Sequence, residues 1–587
     1  MDRSRVAIWA GIEPSVVRIG DSYVDQVRST GHHERAGDLQ LLAGLGIKVL
    51  RYPILWERTA PLSLASAQWE WSDERLGRLR DLGIEPIVTL LHHGSGPRHT
   101  SLLDPEFPRK LATYARAVAR RYPWLRFFTP INEPLTTARF STLYGHWYPH
   151  LRDSASFVTA LLNQVNGVAR AMEAIRQEIP EAVLVQTEDL GKTFATPQLR
   201  YQADFENERR WASLDLLCGA FERNVQMRGW LKQLGLDLRP SDLQAYECEP
   251  GILGFNYYVT GERFLDHRLE RYRKVPVGGN GRDRYVDVEA VRVCTEGIDG
   301  VAGLLGEAWQ RYRRPLAITE AHLGCTREQQ LRWLDELYSD VVQLRERGAD
   351  VRALTVWAAF GACEWNSLLT RCDGHYEPGC FDVRETPPRE TLIAAWTRAR
   401  ATGEAFHHPA IQGTGWWRLP ARLQYGATTR SAGPATTYAP REEARPRGAP
   451  IAIAGKTSLA RQCAERCARR SLNSVVIGDD LPVRGLASAL RSLKPWVVVD
   501  AQLGTGTTVA RAAGLARVPL VVLSDACGNA FDRRESAAVL ATGRPIIARF
   551  QQGEDLDRWL DRVLDMAIDG VSGVWPERSE HGGSIAS

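Results

Sequence analysis

Residues 1–402 alternate short runs of apolar, β-branched residues with longer segments of helical periodicity, a pattern typical of an α/β fold. Gly46 and Gly83 mark helix ends just before two of the apolar runs. The predicted strands are Val6–Trp9, Val49–Tyr52, Ile87–Leu91, Phe127–Ile131, Val183–Gln186, Gly254–Tyr258, Leu316–Thr319 and Leu354–Trp357. Eight buried strands, each followed by a crossover, predict a (β/α)8 TIM barrel. An open doubly wound sheet is the alternative, but the strand count and the polar and aromatic residues at strand C-termini favour the barrel.

A second domain is predicted after the barrel, because 587 residues exceed what one ordinary core accommodates. Residues 403–449 are rich in Gly, Pro, Thr, Arg and Ala, which predicts a linker whose early part, with Trp416 and Trp417, packs back on the barrel. Residues 450–575 return to alternating strands and helices and predict a small doubly wound, Rossmann-like domain. Residues 576–587 predict a disordered tail.

Composition excludes several classes of function. A net charge of only +4 gives no sign of nucleic acid or an anionic membrane as a partner. The chain has no apolar run typical of a signal peptide or a membrane span, so we expect a cytoplasmic protein. The ten cysteines form no C-x-x-C pair. Cys372 and Cys380 flank His375, but this ligand set is incomplete for zinc, and we expect free buried thiols and no metal.

Two glutamates lie where barrel enzymes keep their chemistry, at the C-terminal ends of strands. Glu133 follows the fourth predicted strand in TPINEP, and Glu320 follows the seventh in ITEAH. A retaining glycosidase needs one carboxyl to protonate the leaving oxygen and another, about 5 to 5.5 Å away, to attack the anomeric carbon. Their mutual approach also drives the two pKa values apart. Structural ion pairing is the alternative for either glutamate taken alone.

An ordered set of motifs makes residues 1–400 resemble glycoside hydrolase family one, the β-glucosidase type. Each motif is short, but five of them in the same order are much more specific than any one. The resemblance is carried by VTLLHHG, DPEF, YAR, TPINEP and GFNYY, and it continues at Trp357, Glu364 and Trp365.

The resemblance implies a role for each matching residue. Glu133 would be the acid/base and Glu320 the nucleophile. Asn132 would bind the sugar 2-hydroxyl, an interaction that strengthens in an oxocarbenium-like transition state. His92 would bind the 3-hydroxyl. Tyr258 would orient the nucleophile, with plain core packing as its alternative.

The same resemblance implies the rest of the sugar subsite. Trp357 would form its floor, unless it only fills the core, and Glu364 would accept hydrogen bonds from the outer hydroxyls. Asn256 and Trp365 complete the implied substrate-binding set. Arg51, at the end of the second strand, would keep the nucleophile ionised, or would serve in a structural ion pair.

The sequence departs from the family pattern around the catalytic pair. Ala321 and His322 stand where the family has Asn-Gly, and His93-Gly94 replaces Trp-Asp. The family's strand-one glutamine has Glu13 as its nearest counterpart, which would change the recognition of sugar hydroxyls. We therefore expect a substrate other than a plain β-glucoside. The residues at the altered positions do not identify which sugar it carries.

Residues 450–575 resemble the nucleotide-binding half of dTDP-4-dehydrorhamnose reductase. The resemblance is weak, because Gly455 is followed by Ser458 and Arg461 where the family keeps glycines that approach a pyrophosphate. The segment also has no tyrosine for the reductase chemistry. It predicts a degenerate module with a structural role, a protein partner or weak sugar-nucleotide binding. The basic residues Arg466, Arg469 and Arg470 predict a solvated helix face and not a phosphate site.

The sequence as a whole predicts a retaining β-glycosidase that acts on a carbohydrate substrate by double displacement. Hydrolysis and transfer to another acceptor would use the same residues, and no cofactor is expected. The alternatives are a nucleotide-sugar oxidoreductase, disfavoured by the missing tyrosine, and a catalytically silent carbohydrate-binding protein, disfavoured by the retained glutamates.

Overall fold

The computed structural model describes residues 5–429, 449–478, 480–502, 507–524, 546–550 and 555–570, which form two compact units. The first unit comprises 5–324, 333–389 and 415–429, and the second comprises 325–332, 390–414 and the described residues from 449 onward. Residues 390–402 thus group with the second unit, whereas the sequence-based division assigns them to the barrel domain. The later part of the predicted linker and the predicted tail lie outside the described residues.

The first unit contains a closed barrel of eight parallel strands, as the sequence predicts. Each strand pairs with the next along the chain, and the eighth pairs with the first. The strands are β1 (Ala7–Gly11), β2 (Val49–Pro53), β3 (Glu85–Thr89), β4 (Phe127–Thr129), β5 (Val183–Asp189), β6 (Ile252–Tyr257), β7 (Leu316–Ala321) and β8 (Val351–Val356). Most of their residues are buried, because one face of the wall meets the interior and the other meets the helices.

One side chain from each strand fills the interior of the barrel. The eight residues are Trp9, Val49, Ile87, Phe127, Val185, Ile252, Ala317 and Ala353. This apolar layer fills the barrel, which is therefore a packed core and not a pore.

The remaining elements of the first unit lie in the connections between the barrel strands and in the segment after β8. The helices are Gln26–Ser29, Asp38–Gly44, Trp56–Thr59, Glu70–Asp81, Phe107–Arg121, Pro134–Ala138, Ser154–Glu178, Arg200–Arg209, Ala212–Leu217, Val225–Gln233, Pro240–Leu243, Gly300–Tyr312 and most of Arg327–Glu346. The short strands are Val16–Ile19, Ser22–Asp25, Lys192–Ala195, Glu262–Asp266, Val277–Gly279, Arg284–Glu289, Ala362–Cys363, Tyr376–Glu377, Phe381–Asp382 and Arg389–Glu390.

Residues 415–429 pack within the first unit. Trp417 is fully buried, and its ring meets that of Trp333 edge to face with centroids 5.0 Å apart. The indole of Trp417 donates to Glu336 Oε1 at 2.9 Å. The buried aromatic pair explains why this part of the predicted linker is ordered on the barrel.

The second unit contains a parallel sheet in which the strand order is β10-β9-β11-β12-β13. Its strands are β9 (Ile451–Ala454), β10 (Ser474–Ile477), β11 (Val497–Asp500), β12 (Leu520–Ser524) and β13 (Ile546–Arg549), and its helices are Leu392–Thr402, Ser458–Arg469, Val483–Leu493, Thr507–Ala516 and Leu556–Asp569. This 2-1-3-4-5 order is that of flavodoxin-like doubly wound sheets.

A buried ion-pair network runs through the second unit. The guanidinium of Arg470 is bonded to Glu328 and, at 2.6 Å, to Asp565. Arg327 and Asp569 form a second buried pair at 2.9 Å. The expectation of a solvated face is therefore wrong for Arg470, which is only 5% exposed, because acidic residues neutralise it inside the unit.

The nine cysteines within the described ranges are all free thiols. In the same part of the chain, no cluster of three or more His, Cys, Asp or Glu side chains has the geometry to hold a metal ion. No helix among the described residues is both long and apolar enough to cross a membrane.

Candidate active site

The polar residues singled out in the sequence gather at the C-terminal end of the barrel. Arg51 lies in β2, Asn256 in β6 and Glu320 in β7, while the others follow the strands directly. These others are Glu13 after β1, His92 after β3, Asn132 and Glu133 after β4, Tyr258 after β6, and Trp357, Glu364 and Trp365 after β8.

Glu320 is held by two donors on one carboxylate. Arg51 Nη1 donates to Oε1 at 2.7 Å, and the Tyr258 hydroxyl donates to Oε2 at 2.5 Å. The β6–β7 register shifts between Ile318 and Glu320, and such an irregularity re-aims the side chain that follows it. Burial raises the pKa of Glu320, and the two donors oppose that rise.

Asn132 joins the Arg51–Glu320 pair to His92. Asn132 Oδ1 accepts from Arg51 Nη2 and from the Thr187 hydroxyl, both at 2.7 Å. Its amide nitrogen therefore faces His92 Nε2, 3.1 Å away. Because Nε2 accepts this bond, the His92 proton resides on Nδ1, which is buried and has no partner. Burial, His93 and the charge of Arg51 hold the pKa of His92 far below its ordinary value, which favours the neutral ring.

Glu133 begins the helix Pro134–Ala138 in a left-handed backbone conformation, with φ of 46°. A non-glycine residue in this region costs about 1–2 kcal/mol. The helix fixes this turn, and Asn256 Nδ2 donates to Glu133 Oε1 at 2.5 Å. Burial raises the pKa of Glu133 well above its ordinary value, and the charges of Glu320 and Asp189 raise it further.

The charges of the groups around the two glutamates differ in sign. Glu320 has a guanidinium and a phenol as donors, whereas Glu133 has one neutral amide and several acidic neighbours. These surroundings stabilise the charged form of Glu320 and the neutral form of Glu133.

Trp357 lies beside the Arg51–Asn132–His92 chain. Its ring stacks on His92 with an interplanar angle of 9°, and the Arg51 guanidinium carbon lies 4.7 Å from a ring centroid. Trp357 Nε1 donates to Glu13 Oε2 at 3.1 Å, and the Ser15 amide donates to Oε1 at 2.9 Å. Glu13 is thereby fixed in the same group of residues as Glu133 and Glu320.

The carboxylate of Glu364 accepts hydrogen bonds from the loop that follows it. Its two carboxylate oxygens accept from the backbone amides of Asp373 at 2.8 Å and Gly374 at 2.6 Å. Burial raises its pKa, but these amides outweigh burial and hold the pKa below its ordinary value. The half-buried neighbour Trp365 packs edge to face against His93, and its indole N–H is buried with no partner.

Several residues of the site were not given a role from the sequence. His93 Nε2 lies 4.0 Å from Glu133 Oε2, and burial lowers its pKa to about 3. Asp189, at the end of β5, acts on Glu133 through its charge. Thr319 donates to Asn256 Oδ1 at 2.7 Å and fixes the amide that holds Glu133. The strand-end rule that found Glu320 also applies to Asp189 and Thr319.

Comparisons with known proteins identify relatives among the β-glucosidases. A β-glucosidase 4 from Oryza sativa subsp. japonica is 23% identical over 412 residues, covering 62% of this chain and 83% of the relative. A phospho-cellobiase from Klebsiella oxytoca is 23% identical over 366 residues, covering 58% and 77%. The structure of a Thermotoga maritima β-glucosidase with deoxynojirimycin superposes with a TM-score of 0.55 at 16% identity, over 68% of this chain and 98% of that one.

The model of "Glycosyl hydrolase family 1" matches residues 3–373, which is more than half of the chain. The matched region contains every candidate site residue, and it favours the glycosidase over an oxidoreductase or a silent binding protein. The match ends before residue 450, so the resemblance to a reductase remains a prediction. The chain belongs to glycosyl hydrolase family 1 and is a glycoside hydrolase.

Proposed function

We propose that in this retaining β-glycosidase Glu320 is the nucleophile and Glu133 is the acid/base. The observation that carries the assignment is the asymmetry of their donors. Arg51 and Tyr258 stabilise the charged form of Glu320, while burial and acidic neighbours favour the neutral form of Glu133. A nucleophile must be ionised and an acid protonated at the same pH, and these surroundings supply both states.

In the first step a Glu320 oxygen attacks the anomeric carbon, and Glu133 gives its proton to the departing glycosidic oxygen. The leaving group departs as a neutral alcohol, and the sugar is esterified to Glu320. The negative charge of the site thereby moves from Glu320 to Glu133. Arg51 and Tyr258 then face an ester and no longer a carboxylate, so the charge that they stabilise is lost as the ester forms.

In the second step the ionised Glu133 takes a proton from water as the water oxygen attacks the anomeric carbon. The bond to Glu320 breaks, and its carboxylate is restored against Arg51. Each step inverts the anomeric carbon, so the product keeps the β configuration. Another hydroxyl compound in place of water would lead to transfer.

The sugar subsite is proposed to lie beside the stacked rings of His92 and Trp357. The unpartnered Nδ1–H of His92 offers a donor to a hydroxyl oxygen, and the Trp357 face offers an apolar floor. Asn132 binds the 2-hydroxyl in this arrangement, and Trp365 contributes its free indole N–H. Glu364 keeps lone pairs beyond its two loop amides, with which it accepts from outer hydroxyls.

The second unit is proposed to be a degenerate Rossmann-like module without catalytic activity of its own. Its parallel sheet and the absence of tyrosine after residue 450 support this reading. We propose a structural or protein-binding role for it, with weak sugar-nucleotide binding as the second option. A cytoplasmic location is also proposed, and the free thiols within the described residues agree with a reducing compartment.

Paired variants test the two roles with a substrate that needs no acid. A 2,4-dinitrophenyl β-glycoside has so good a leaving group that Glu133→Ala should still form the glycosyl-enzyme and release a burst of dinitrophenolate. Glu320→Ala should release none. Added azide should restore turnover in Glu133→Ala as a β-glycosyl azide. Equal loss of the burst in both variants would contradict the division of roles.

A further inference from the structure

A third carboxyl shares the active site with the two catalytic glutamates. Glu13 is only 5% exposed, and both of its oxygens are fixed, one by the Ser15 amide and one by Trp357 Nε1. Trp357 also stacks on His92, so Glu13 lies at the edge of the proposed sugar floor. The charges of Glu13, Glu133 and Glu320 all raise the pKa of the Tyr258 hydroxyl, which places the three carboxyls in one electrostatic environment.

The charge of Glu13 is not neutralised by the protein. In the part of the chain that the structure describes, Glu13 forms no ion pair with a Lys, Arg or His side chain. Arg51, a cation of the site, donates hydrogen bonds to Glu320 and Asn132. A buried carboxylate without a cation is costly, and the cost disappears when a ligand brings a positive charge.

The chemistry of the site therefore selects the sugar. An ionised carboxylate only accepts hydrogen bonds, so the group that it meets must be a donor. A phosphate or carboxylate on the sugar would be repelled by Glu13 and Glu320, a neutral hydroxyl would be tolerated, and an ammonium would be attracted. The His92 Nδ1–H, by contrast, is a donor and requires a hydroxyl oxygen.

We propose that Glu13 makes this glycosidase selective for β-glycosides whose sugar ring carries an amino group. The proposal rests on the proposed function of the barrel and specifies its substrate class. It also accounts for a glutamate at the position nearest to the family's strand-one glutamine, because only a glutamate can balance a cation.

The pKa of Glu13 gives the proposal a pH signature. Burial and then the charge of Glu320 raise this pKa to about 7. The charge of Glu13 also raises the pKa values of Tyr258 and Cys363. Below pH 7 the carboxyl must lose a proton to pair with an ammonium, so the preference for the amino sugar should rise with pH, by up to tenfold per unit, and level off near pH 7.

The test compares kcat/KM for 4-nitrophenyl β-D-glucopyranoside with its 3-amino-, 4-amino- and 6-amino-deoxy analogues. We expect the wild-type protein to prefer at least one analogue. Glu13→Gln should lower that ratio about 10- to 100-fold, the range of a charge-assisted hydrogen bond. Glu262→Gln is the matched control, since Glu262 is equally buried, has a pKa of about 7, and caps the amides of Asp299 and Gly300 outside the site. This control should leave the ratio unchanged.

A wild-type preference for the glucoside over all three analogues would overturn the proposal. So would an unchanged ratio in Glu13→Gln. If that variant does not fold, the pH dependence of the wild-type ratio decides, and a ratio that is flat between pH 5 and pH 7 refutes it. Failure of the proposed function is distinguishable, since it would appear as no turnover of any of the four glycosides.

Discussion

Removal of the Tyr258 hydroxyl tests how the site keeps its nucleophile ionised. The bond from this hydroxyl to Glu320 Oε2 is 2.5 Å long and buried. A hydrogen bond to a charged group contributes about 1.5–3 kcal/mol, which corresponds to about one to two units in the pKa of Glu320. Tyr258→Phe should therefore raise that pKa. Because only ionised Glu320 attacks, the acidic limb of the kcat/KM profile should move to higher pH by about one to two units.

The assay is the pH profile of kcat/KM for an aryl glycoside that the wild-type protein cleaves. Tyr257→Phe is the matched control, because the neighbouring Tyr257 hydroxyl donates to Glu262 and not to Glu320. This control should leave the acidic limb in place. An acidic limb that does not move in Tyr258→Phe, or that moves to lower pH, would refute the role assigned to the hydroxyl.

Three further predictions concern the framework of the protein. Arg51→Met leaves a buried carboxylate unpaired and should lower the free energy of unfolding by about 3–5 kcal/mol, as measured by urea denaturation. Gly254→Ala places a Cβ 2.6 Å from Thr319, and we expect a loss of about 1–3 kcal/mol together with a lower kcat, because Thr319 holds the amide that positions the acid. Arg470→Met leaves Glu328 buried without its cation and should destabilise the second unit by about 3–5 kcal/mol. The second unit should then unfold at a lower urea concentration. An unchanged unfolding midpoint would contradict the stabilising role of the ion-pair network.

The barrel could be predicted from the sequence because its strands are short, buried on both faces and delimited by glycines. All eight predicted runs overlap the observed strands. The positions of Arg51 and Glu320 follow from the same pattern, since a polar residue at the end of a buried strand must lie in the cleft. The order of the strands in the second unit could not be predicted from the sequence, because periodicity identifies strands but does not specify which of them are neighbours.

What the sequence did not reveal depends on irregular backbone. The left-handed turn at Glu133 and the register shift before Glu320 aim the two carboxyls, and neither has a signature in a single sequence. Glu364 is itself in the left-handed region, with φ of 60°, and its carboxylate accepts hydrogen bonds from loop amides. The unpartnered Nδ1 of His92 became evident only from the hydrogen bonds of Asn132.

In the proposed mechanism Glu320 forms a covalent glycosyl ester. The most direct measurement is mass spectrometry of the intact protein and its peptides after incubation with activated 2-deoxy-2-fluoro β-glycosides, amino-sugar derivatives included. The fluorine slows both steps and the good leaving group rescues only the first, so the intermediate accumulates. We expect a stable adduct on the peptide that contains Glu320 and none in Glu320→Ala. An adduct on a different residue, or turnover of these glycosides that persists in Glu320→Ala, would contradict this mechanism.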